Sequence, residues 1–372
     1  MQEPAFPSLI CTESIPLFAA AALDELYGSL YSTLTHLGLH DGLQASSTYA
    51  AWNENKLSAL FLFRQAAGEV TVMNQGMQLD PCELERFGTT IFARYPKVGR
   101  IHFHAVRLSS TPIKLLALRF ACTEDMVISL PATEQDYLAR LGKSTRKSLR
   151  QHLTRAQAVL PAFRYIVKNG HAVPDQVLEH IIGFNHLRMA NKKRVSALTG
   201  ETSRKLIALI RDRGEVGMIY AGVRLCAGTL ACRVGEDIFS LVNAHDPAYD
   251  DLSLGSVCRF LMIKNSIHTG ARRFHLLGGQ IGNKQEVLGE RLPLDHLVLY
   301  RSHSDLLRDA AGITRLACQS ALYRTQSWVE AQTIRRDQSL FSPLLIRLVA
   351  LRRKLRHPAD TAIVMSKPDM QE

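Results

Sequence analysis

The chain has 372 residues, with 45 Lys and Arg against 34 Asp and Glu, and a formal net charge of +11. Hydrophobic residues make up 46% and charged residues 21%, a mixture typical of globular proteins that excludes a disordered or low-complexity chain. The length predicts two domains. The positive excess predicts an anionic partner, either nucleic acid, a phosphorylated cofactor or an anionic membrane.

The N-terminal region and the cysteines indicate a reducing compartment. No Lys or Arg precedes Lys56, so the positive region of a signal peptide is missing. No window approaches the roughly 18 apolar residues of a spanning helix. The seven cysteines are odd in number and form no Cys-x-x-Cys pair, which favours reduced thiols over disulfides or a zinc site. We therefore expect a cytoplasmic protein, and the sequence predicts no metal ligands.

The first part of the chain predicts a small α+β domain in which no catalytic motif is recognisable. Its apolar residues follow helical spacing at the start and strand spacing further on. The predicted elements are a helix over 14–38, strands at 57–64 and 69–74, a helix over 81–95, and strands at 100–106 and 125–130.

One segment concentrates positive charge. A helix is predicted from Thr133, a good N-cap, to about residue 158, although Gly142 weakens the prediction of an unbroken helix. Residues 140–155 hold six Lys and Arg and no Asp or Glu. This segment could contact the phosphates of a cofactor or of an RNA-linked donor, or it could present a solvated basic face.

The second part of the chain has a more definite order of elements. It predicts two helices, three antiparallel strands, a loop, a helix, a strand, a loop and a last strand. These are helices over 174–190 and 201–213, strands at 216–221, 225–234 and 238–244, a helix from Ser253 to Gly270, and strands at 273–277 and 296–300.

This order is similar to that of the GNAT acyltransferase core, and four segments carry a closer resemblance. They are the basic segment 141–150, the helical segment 184–188, the loop 246–256, and the segment 274–289 with its paired glycines and Lys284. These segments resemble the GNAT-like family found with bacterial cellulose and exopolysaccharide synthesis genes. That family is related to the Fem-type aminoacyltransferases.

The resemblance implies an α+β fold with a mixed, mostly antiparallel sheet and flanking helices. It divides the chain into a degenerate GNAT-like domain at 1–125, an acyltransferase domain at 126–302, and a helical basic extension at 303–372. Within the extension, residues 343–356 hold five Lys and Arg and no acid. Such an amphipathic helix could lie on an anionic membrane, which would make the protein membrane-peripheral, or dock on the protein itself.

The implied activity is transfer of an acetyl or longer acyl group from acyl-CoA to an amine, such as a sugar or cell-envelope precursor. One alternative is a Fem-type transferase that uses aminoacyl-tRNA. Another is a non-catalytic GNAT-like scaffold that binds a membrane or a polysaccharide-synthesis partner. Aromatic residues do not interleave with the basic segment, so no dedicated nucleic-acid module is expected.

The predicted catalytic residues follow the third core strand. His245 or Asp246 could act as general base, and Tyr249 could protonate the leaving thiolate. The other interpretation is a strand-end turn capped by Asp246, with a packed tyrosine.

The remaining predicted residues would hold the two substrates. Backbone N–H groups at the start of a helix bind phosphates, and the predicted helix from Ser253 could do so. Asp250 and Asp251, directly before this helix, would repel a pyrophosphate. His186 and Arg188 are two apart on a helix, so they point to different faces. The cofactor-binding residues are Asn243, Leu254, Gly255 and Ser256, and the substrate-binding residues are His186, Arg188 and Lys284.

Overall fold

The structure is a computed structural model, and it describes residues 8–109, 112–193, 195–278 and 282–334. The predicted basic helix at 343–356 lies outside these ranges. Within them, no helix combines the length and the apolar character needed to cross a bilayer.

The chain divides into two compact units. Among the described residues, the first unit contains 8–124 and 293–328, and the second contains 125–292 and 329–334. Two of the three changes of unit, at 124–125 and at 292–293, fall inside strands, and the third, at 328–329, falls inside a helix.

The first unit begins with one strand, two helices and three sequential antiparallel strands. Its elements are β1 (Ser8–Cys11), α1 (Ala19–Tyr27), α2 (Leu34–His40), β2 (Ser47–Asn53), β3 (Lys56–Ala66), β4 (Glu69–Val72), β5 (Gln78–Leu79), α3 (Pro81–Arg94), β6 (Arg100–Leu108) and the first part of β7 (Leu116–Ser129).

The second unit repeats this plan and the chain then returns to the first. Its elements are α4 (Glu134–Arg140), α5 (Lys143–Val159), β8 (Phe163–Asn169), α6 (Asp175–Asn191), α7 (Gly200–Arg213), β9 (Gly214–Ala221), β10 (Arg224–Val234), β11 (Asp237–His245), α8 (Leu254–His268), β12 (Arg273–His275) and α9 (Gly282–Gln285). They are followed by β13 (Glu290–Tyr300), α10 (His303–Arg308) and α11 (Ala310–Ile334).

The strand pairing is the same in both units. In the first, β1, β2, β3 and β4 pair antiparallel in that order, and β4 pairs parallel with β6. In the second, β8, β9, β10 and β11 pair antiparallel, and β11 pairs parallel with β12. In each case a helix, α3 or α8, connects the parallel strands. The predicted α+β fold with a GNAT-like core is confirmed, and the repeated plan agrees with a second GNAT-like half.

Two helices cover opposite faces of the second unit's sheet. A Cβ placed on Gly228 of β10 would lie 2.4 Å from Cδ1 of Ile181, so α6 packs on this face. Oγ1 of the next residue, Thr229, lies 3.4 Å from Sγ of Cys258 on α8. Successive residues of a strand point to opposite faces, so α6 and α8 enclose the strands between them.

Two predicted helices are each wrong as single elements. The one over 14–38 is divided at Gly28, which ends α1 in the left-handed region at φ 52°, where a residue without Cβ meets no steric penalty. The one from Thr133 is divided between α4 and α5, because Leu141 and Gly142 are extended with ψ of 143° and 146°. Four strands, β1, β2, β5 and β8, were not predicted.

Candidate functional site

A gap opens between β11 and β12 in the second unit. Their parallel ladder covers only three pairs, from Asp237 with Arg273 to Phe239 with His275. Strand β11 continues to His245, and in the described part of the chain no strand pairs with this edge beyond Phe239. A bulge at Leu241, between the pairs of Ala231 with Ser240 and Leu230 with Val242, bends the strand here.

Helix α8 begins beside the end of β11. Ser253 precedes it in the left-handed region at φ 53°, and its side chain makes no cap hydrogen bond. The carbonyl of Ser253 accepts from the N–H groups of Ser256 and Val257. The N–H groups of Leu254 and Gly255 precede the first helical hydrogen bond and are available to an anion.

His245 and Asp250 form a pair at this helix start. Nε2 of His245 lies 2.8 Å from Oδ1 of Asp250. Nδ1 of His245 faces Gly255, where a Cβ would lie 3.1 Å away. When Nε2 carries the ring proton, Asp250 accepts it and Nδ1 keeps the lone pair that a general base needs.

The four predicted cofactor residues differ in what they can contribute. The amide of Asn243 donates to the carbonyl of Gly255 at 2.9 Å and accepts from the hydroxyl of Thr229 at 2.8 Å, so it fixes the helix start to β11. The side chain of Leu254 is fully buried in the core. Gly255 offers its backbone, and Ser256 is exposed.

Asp246 and Tyr249 lie in the turn between β11 and α8. Oδ1 of Asp246 accepts from the N–H of Ala248 at 3.0 Å, and Oδ2 accepts from Arg224 at 2.7 Å. The same guanidinium lies 5.4 Å from the centre of the Tyr249 ring. Burial and the neighbouring Cys226 thiol raise the pKa of Tyr249 above its ordinary value of 10.0, so its hydroxyl is protonated at neutral pH. Both oxygens of Asp246 are engaged, which leaves His245 as the better-placed base.

Each acid before α8 has a basic partner. Asp250 accepts the hydrogen bond of His245, and Asp251 is paired with Arg155 of α5 at 3.1 Å. The charge of Arg155 offsets that of Asp251, which would otherwise oppose a phosphate at the helix start.

The two substrate-binding candidates on α6 have different surroundings. Nε2 of His186 donates to the carbonyl of Leu198, which engages this ring in the loop before α7. Arg188 is half-buried and donates to Oδ1 of Asn185 at 3.1 Å, while its Nε is buried without a hydrogen-bond partner among the described residues.

A second arginine without a described acid partner lies near Arg188. Burial lowers the pKa of Arg259 on α8, and the positive charge of Arg188 lowers it further. Burial also lowers the pKa of Arg188. Two half-buried cations that repel one another are stabilised by an anion placed between them.

Lys284 is engaged with its own loop. Its ammonium donates to the carbonyls of Leu276, Leu277 and Gly278 at 2.8, 2.6 and 2.8 Å. An ammonium has three protons, so these bonds account for all of its donors. The structure therefore gives Lys284 a role in holding the segment after β12, where Leu277 has a positive φ of 59°.

Sequence reasoning missed a buried charged group at the end of the parallel ladder. Nδ1 of His275 lies 2.6 Å from Oδ2 of Asp125, and its ring stacks on Phe239 at 4.1 Å. Asp237 accepts two hydrogen bonds from Arg273, both at 2.6 Å. The available signal was the alternation Arg-x-His in a short strand, with Asp125 and Asp237 at predicted strand starts or turns elsewhere in the chain.

A family model matches the central part of the chain. Residues 143–285 match the acetyltransferase (GNAT) domain. This GNAT match contains every predicted site residue. A search of curated proteins gives no significant match.

Solved structures share the fold at low sequence identity. FemX is 10% identical with a TM-score of 0.55, over 78% of this chain and 96% of that one. A conserved protein of unknown function from Bacteroides thetaiotaomicron is 13% identical with a TM-score of 0.53, over 79% and 100%. L-PGS from Bacillus licheniformis is 13% identical with a TM-score of 0.45, over 83% and 98%. At these identities the likeness to the first two structures concerns the fold alone, and the third, with a TM-score under 0.5, supports no conclusion.

Proposed function

We propose that the chain transfers an acetyl or longer acyl group from acyl-CoA to an amine at the gap between β11 and β12. The observation that carries this proposal is the convergence there of an open strand edge, the start of α8 and the His245–Asp250 pair. A strand edge can pair with the amide groups of an extended ligand such as pantetheine. The N–H groups of a helix start bind phosphates.

The proposed reaction needs one base and one acid. The amine nitrogen attacks the thioester carbonyl carbon, the C–S bond breaks and an amide forms. Nδ1 of His245 takes the proton that the amine loses, directly or through water, while Asp250 stabilises the imidazolium. The departing thiolate takes the hydroxyl proton of Tyr249.

The acceptor in this proposal carries an anionic group as well as an amine. Arg188 and Arg259 are half-buried cations without a described acid partner, and a phosphate or carboxylate would satisfy the buried Nε of Arg188. An amine on a sugar or on an exopolysaccharide or cell-envelope precursor fits this requirement. The choice of such a precursor rests on the resemblance of the four sequence segments.

The distribution of charge along α5 favours a second candidate, a Fem-type transferase that uses aminoacyl-tRNA. Arg155 lies beside the start of α8, where it pairs with Asp251. The other Lys and Arg residues of α5 lie between Arg155 and Lys143, at the opposite end of the helix. At 1.5 Å per residue this row is about 18 Å long, which exceeds a pyrophosphate and suits several phosphates of a nucleic-acid backbone. Lys143, Lys147 and Arg150 are exposed and have no described acid partner.

Calorimetry and turnover assays test the donor. Acetyl-CoA or a longer acyl-CoA should bind the full-length protein, and its acyl group should appear as an amide on a supplied amine. If no acyl-CoA binds at millimolar concentration, the acyl-CoA proposal fails. Transfer from aminoacyl-tRNA, weakened by Lys143→Gln with Lys147→Gln and by added salt, would then establish the second candidate.

Arg188 variants test the acceptor. Arg188→Lys, which keeps the charge but loses the planar set of donors, should raise KM for an anionic acceptor by about tenfold. It should leave KM for the donor unchanged. Equal effects on both values would contradict a role in acceptor binding.

Contact with an anionic membrane through 343–356 remains a prediction about residues outside the described ranges. Flotation with anionic liposomes, with and without residues 340–372, tests it. Equal flotation of both forms would eliminate this anchor.

A further inference from the structure

Three neighbouring strands of the first unit bring imidazole and thiol groups together. His104 lies on β6, His296 on β13 and Cys122 on β7, and β13 lies between the other two strands. One ligand atom from each of the three side chains lies within 4.8 Å of the others. His296 is buried, and the other two are half-buried.

A backbone irregularity aims His104 at this point. Between the pairs of Val106 with Asp295 and Phe103 with Leu297, β6 holds one residue more than β13, so His104 and Ala105 both oppose His296. Ala105 adopts a positive φ of 49°, a conformation that costs a residue with a side chain roughly 1–2 kcal/mol. Bulges that redirect a side chain are concentrated at functional sites.

The ring nitrogens of three neighbouring histidines cannot all complete hydrogen bonds with one another. Nδ1 of His296 lies 3.0 Å from Nδ1 of His104 and 3.3 Å from Nε2 of His102. A ring nitrogen carries either one proton or one lone pair, so Nδ1 of His296 can complete one linear hydrogen bond, not two. A cation held between these nitrogens would use the lone pairs directly.

We propose that His104, Cys122 and His296 bind a Zn²⁺ ion, a site that the sequence analysis did not predict. Imidazole and thiolate together select Zn²⁺ over Mg²⁺ and Ca²⁺, which prefer oxygen ligands. Zinc binds nitrogen at about 2.0–2.1 Å and sulfur at about 2.3 Å, so the three ligand atoms need only small side-chain movements. The fourth tetrahedral position is open to water or to His102.

The surroundings shield the three ligand atoms from bulk water, since His296 is buried and the other two side chains are half-buried. Coordination requires neutral imidazoles and a thiolate. A bound metal ion itself favours the thiolate, because a coordinating thiol is deprotonated outright.

Metal titration of the full-length protein tests the site. Chelator-treated protein should take up about one Zn²⁺ per chain, and Co²⁺ should give a thiolate-to-metal charge-transfer band. Cys122→Ser should abolish that band and weaken Zn²⁺ binding by at least about tenfold. Replacing a residue that only hydrogen-bonds to a metal ligand already costs about that much affinity, so loss of a ligand should cost no less. Cys82→Ser, which changes an exposed thiol of α3 in the same unit, should leave both unchanged.

The cobalt spectrum of the unaltered protein decides the question even if Cys122→Ser fails to fold. A charge-transfer band that needs stoichiometric Co²⁺ supports the site. Absence of the band, or a band that survives Cys122→Ser and disappears with Cys82→Ser, overturns the proposal.

Discussion

Nε2 of His245 lies 2.8 Å from the carboxylate of Asp250, five residues further along the chain. This pairing gives the first prediction. His245→Ala should lower kcat by about 10²–10⁴-fold, because a positioned general base contributes that much. Asp250→Asn should lower kcat less and shift the pH–rate profile, since the ring keeps its place but loses the charge that stabilises its protonated form. Steady-state rates across pH 6–9 measure both. Unchanged kcat in His245→Ala would remove this residue as the base.

The close approach of Gly255 to His245 gives a second prediction. In Gly255→Ala the new Cβ would lie 3.1 Å from Nδ1 of His245 and 3.7 Å from Nδ2 of Asn243. Overpacking of this kind costs about 1–3 kcal/mol in the free energy of unfolding. In a His245→Ala background the neighbouring ring is gone, so the cost should shrink. A double-mutant cycle in urea measures the coupling, and additive costs would show that the ring does not require the glycine.

A substitution of Lys284 distinguishes whether this residue stabilises its loop or binds the substrate. Lys284→Met removes the three hydrogen bonds to the carbonyls after β12. We expect faster amide hydrogen exchange at 276–278 and a loss of about 1–3 kcal/mol in local stability, as for an unmatched polar group. Lys264→Met, which alters an ion pair with Glu134 on the same unit, is the matched control. A rise in KM with unchanged exchange would instead favour direct substrate binding.

The buried pair of Asp237 and His275 predicts a defined pH dependence. Burial disfavours both charges, yet the hydrogen bond to Asp125 and the charge of Asp237, 3.6 Å from Nε2, raise the pKa of His275. The charge of His275 and the hydrogen bonds from Arg273 lower the pKa of Asp237. The stabilisation from His275 is complete below its unfolded pKa of 6.5 and is lost as pH rises through the folded value. That from Asp237 is present above 3.8 and is lost as pH falls through its lowered value.

The difference in free energy of unfolding between the unaltered protein and His275→Gln should therefore be greatest between about pH 4 and pH 6.5 and should decline at higher pH. Denaturant unfolding at a series of pH values measures it. The loss of stacking on Phe239 adds a constant offset only. A difference that does not vary with pH would mean that the pKa of His275 is the same in the folded and the unfolded protein.

Periodicity predicted the second unit well because its helices and strands have strongly patterned faces. The predicted helix over 174–190 is α6, and the three strands from 216 to 244 are β9, β10 and β11, extended at their ends by one or two residues. The first unit was less predictable, because β2 is buried along five consecutive residues from Ser47 to Ala51 and shows no alternation. The division of α4 from α5 depends on the extended backbone at Leu141, which no local pattern announces.

The candidate site was predictable as a set of residues but not as a set of contacts. The strand end and the helix start place His245 and Gly255 correctly, since both positions follow from the order of elements. The partner of His245 was not predictable, because Asp250 had been interpreted only as a charge opposing phosphate. The cluster of His104, Cys122 and His296 joins residues up to 192 positions apart, although His102 and His104 already showed the two-residue spacing of a common strand face.

The return of the chain to the first unit determines the order in which the two units can be completed during synthesis. Strand β6 pairs with β13 through residues 295–300, which leave the ribosome only after the whole of β12 and α9. The second unit can therefore close before the first, although the first begins the chain. Until then the edge of β6 remains unpaired, and an exposed strand edge can pair with the edges of other chains.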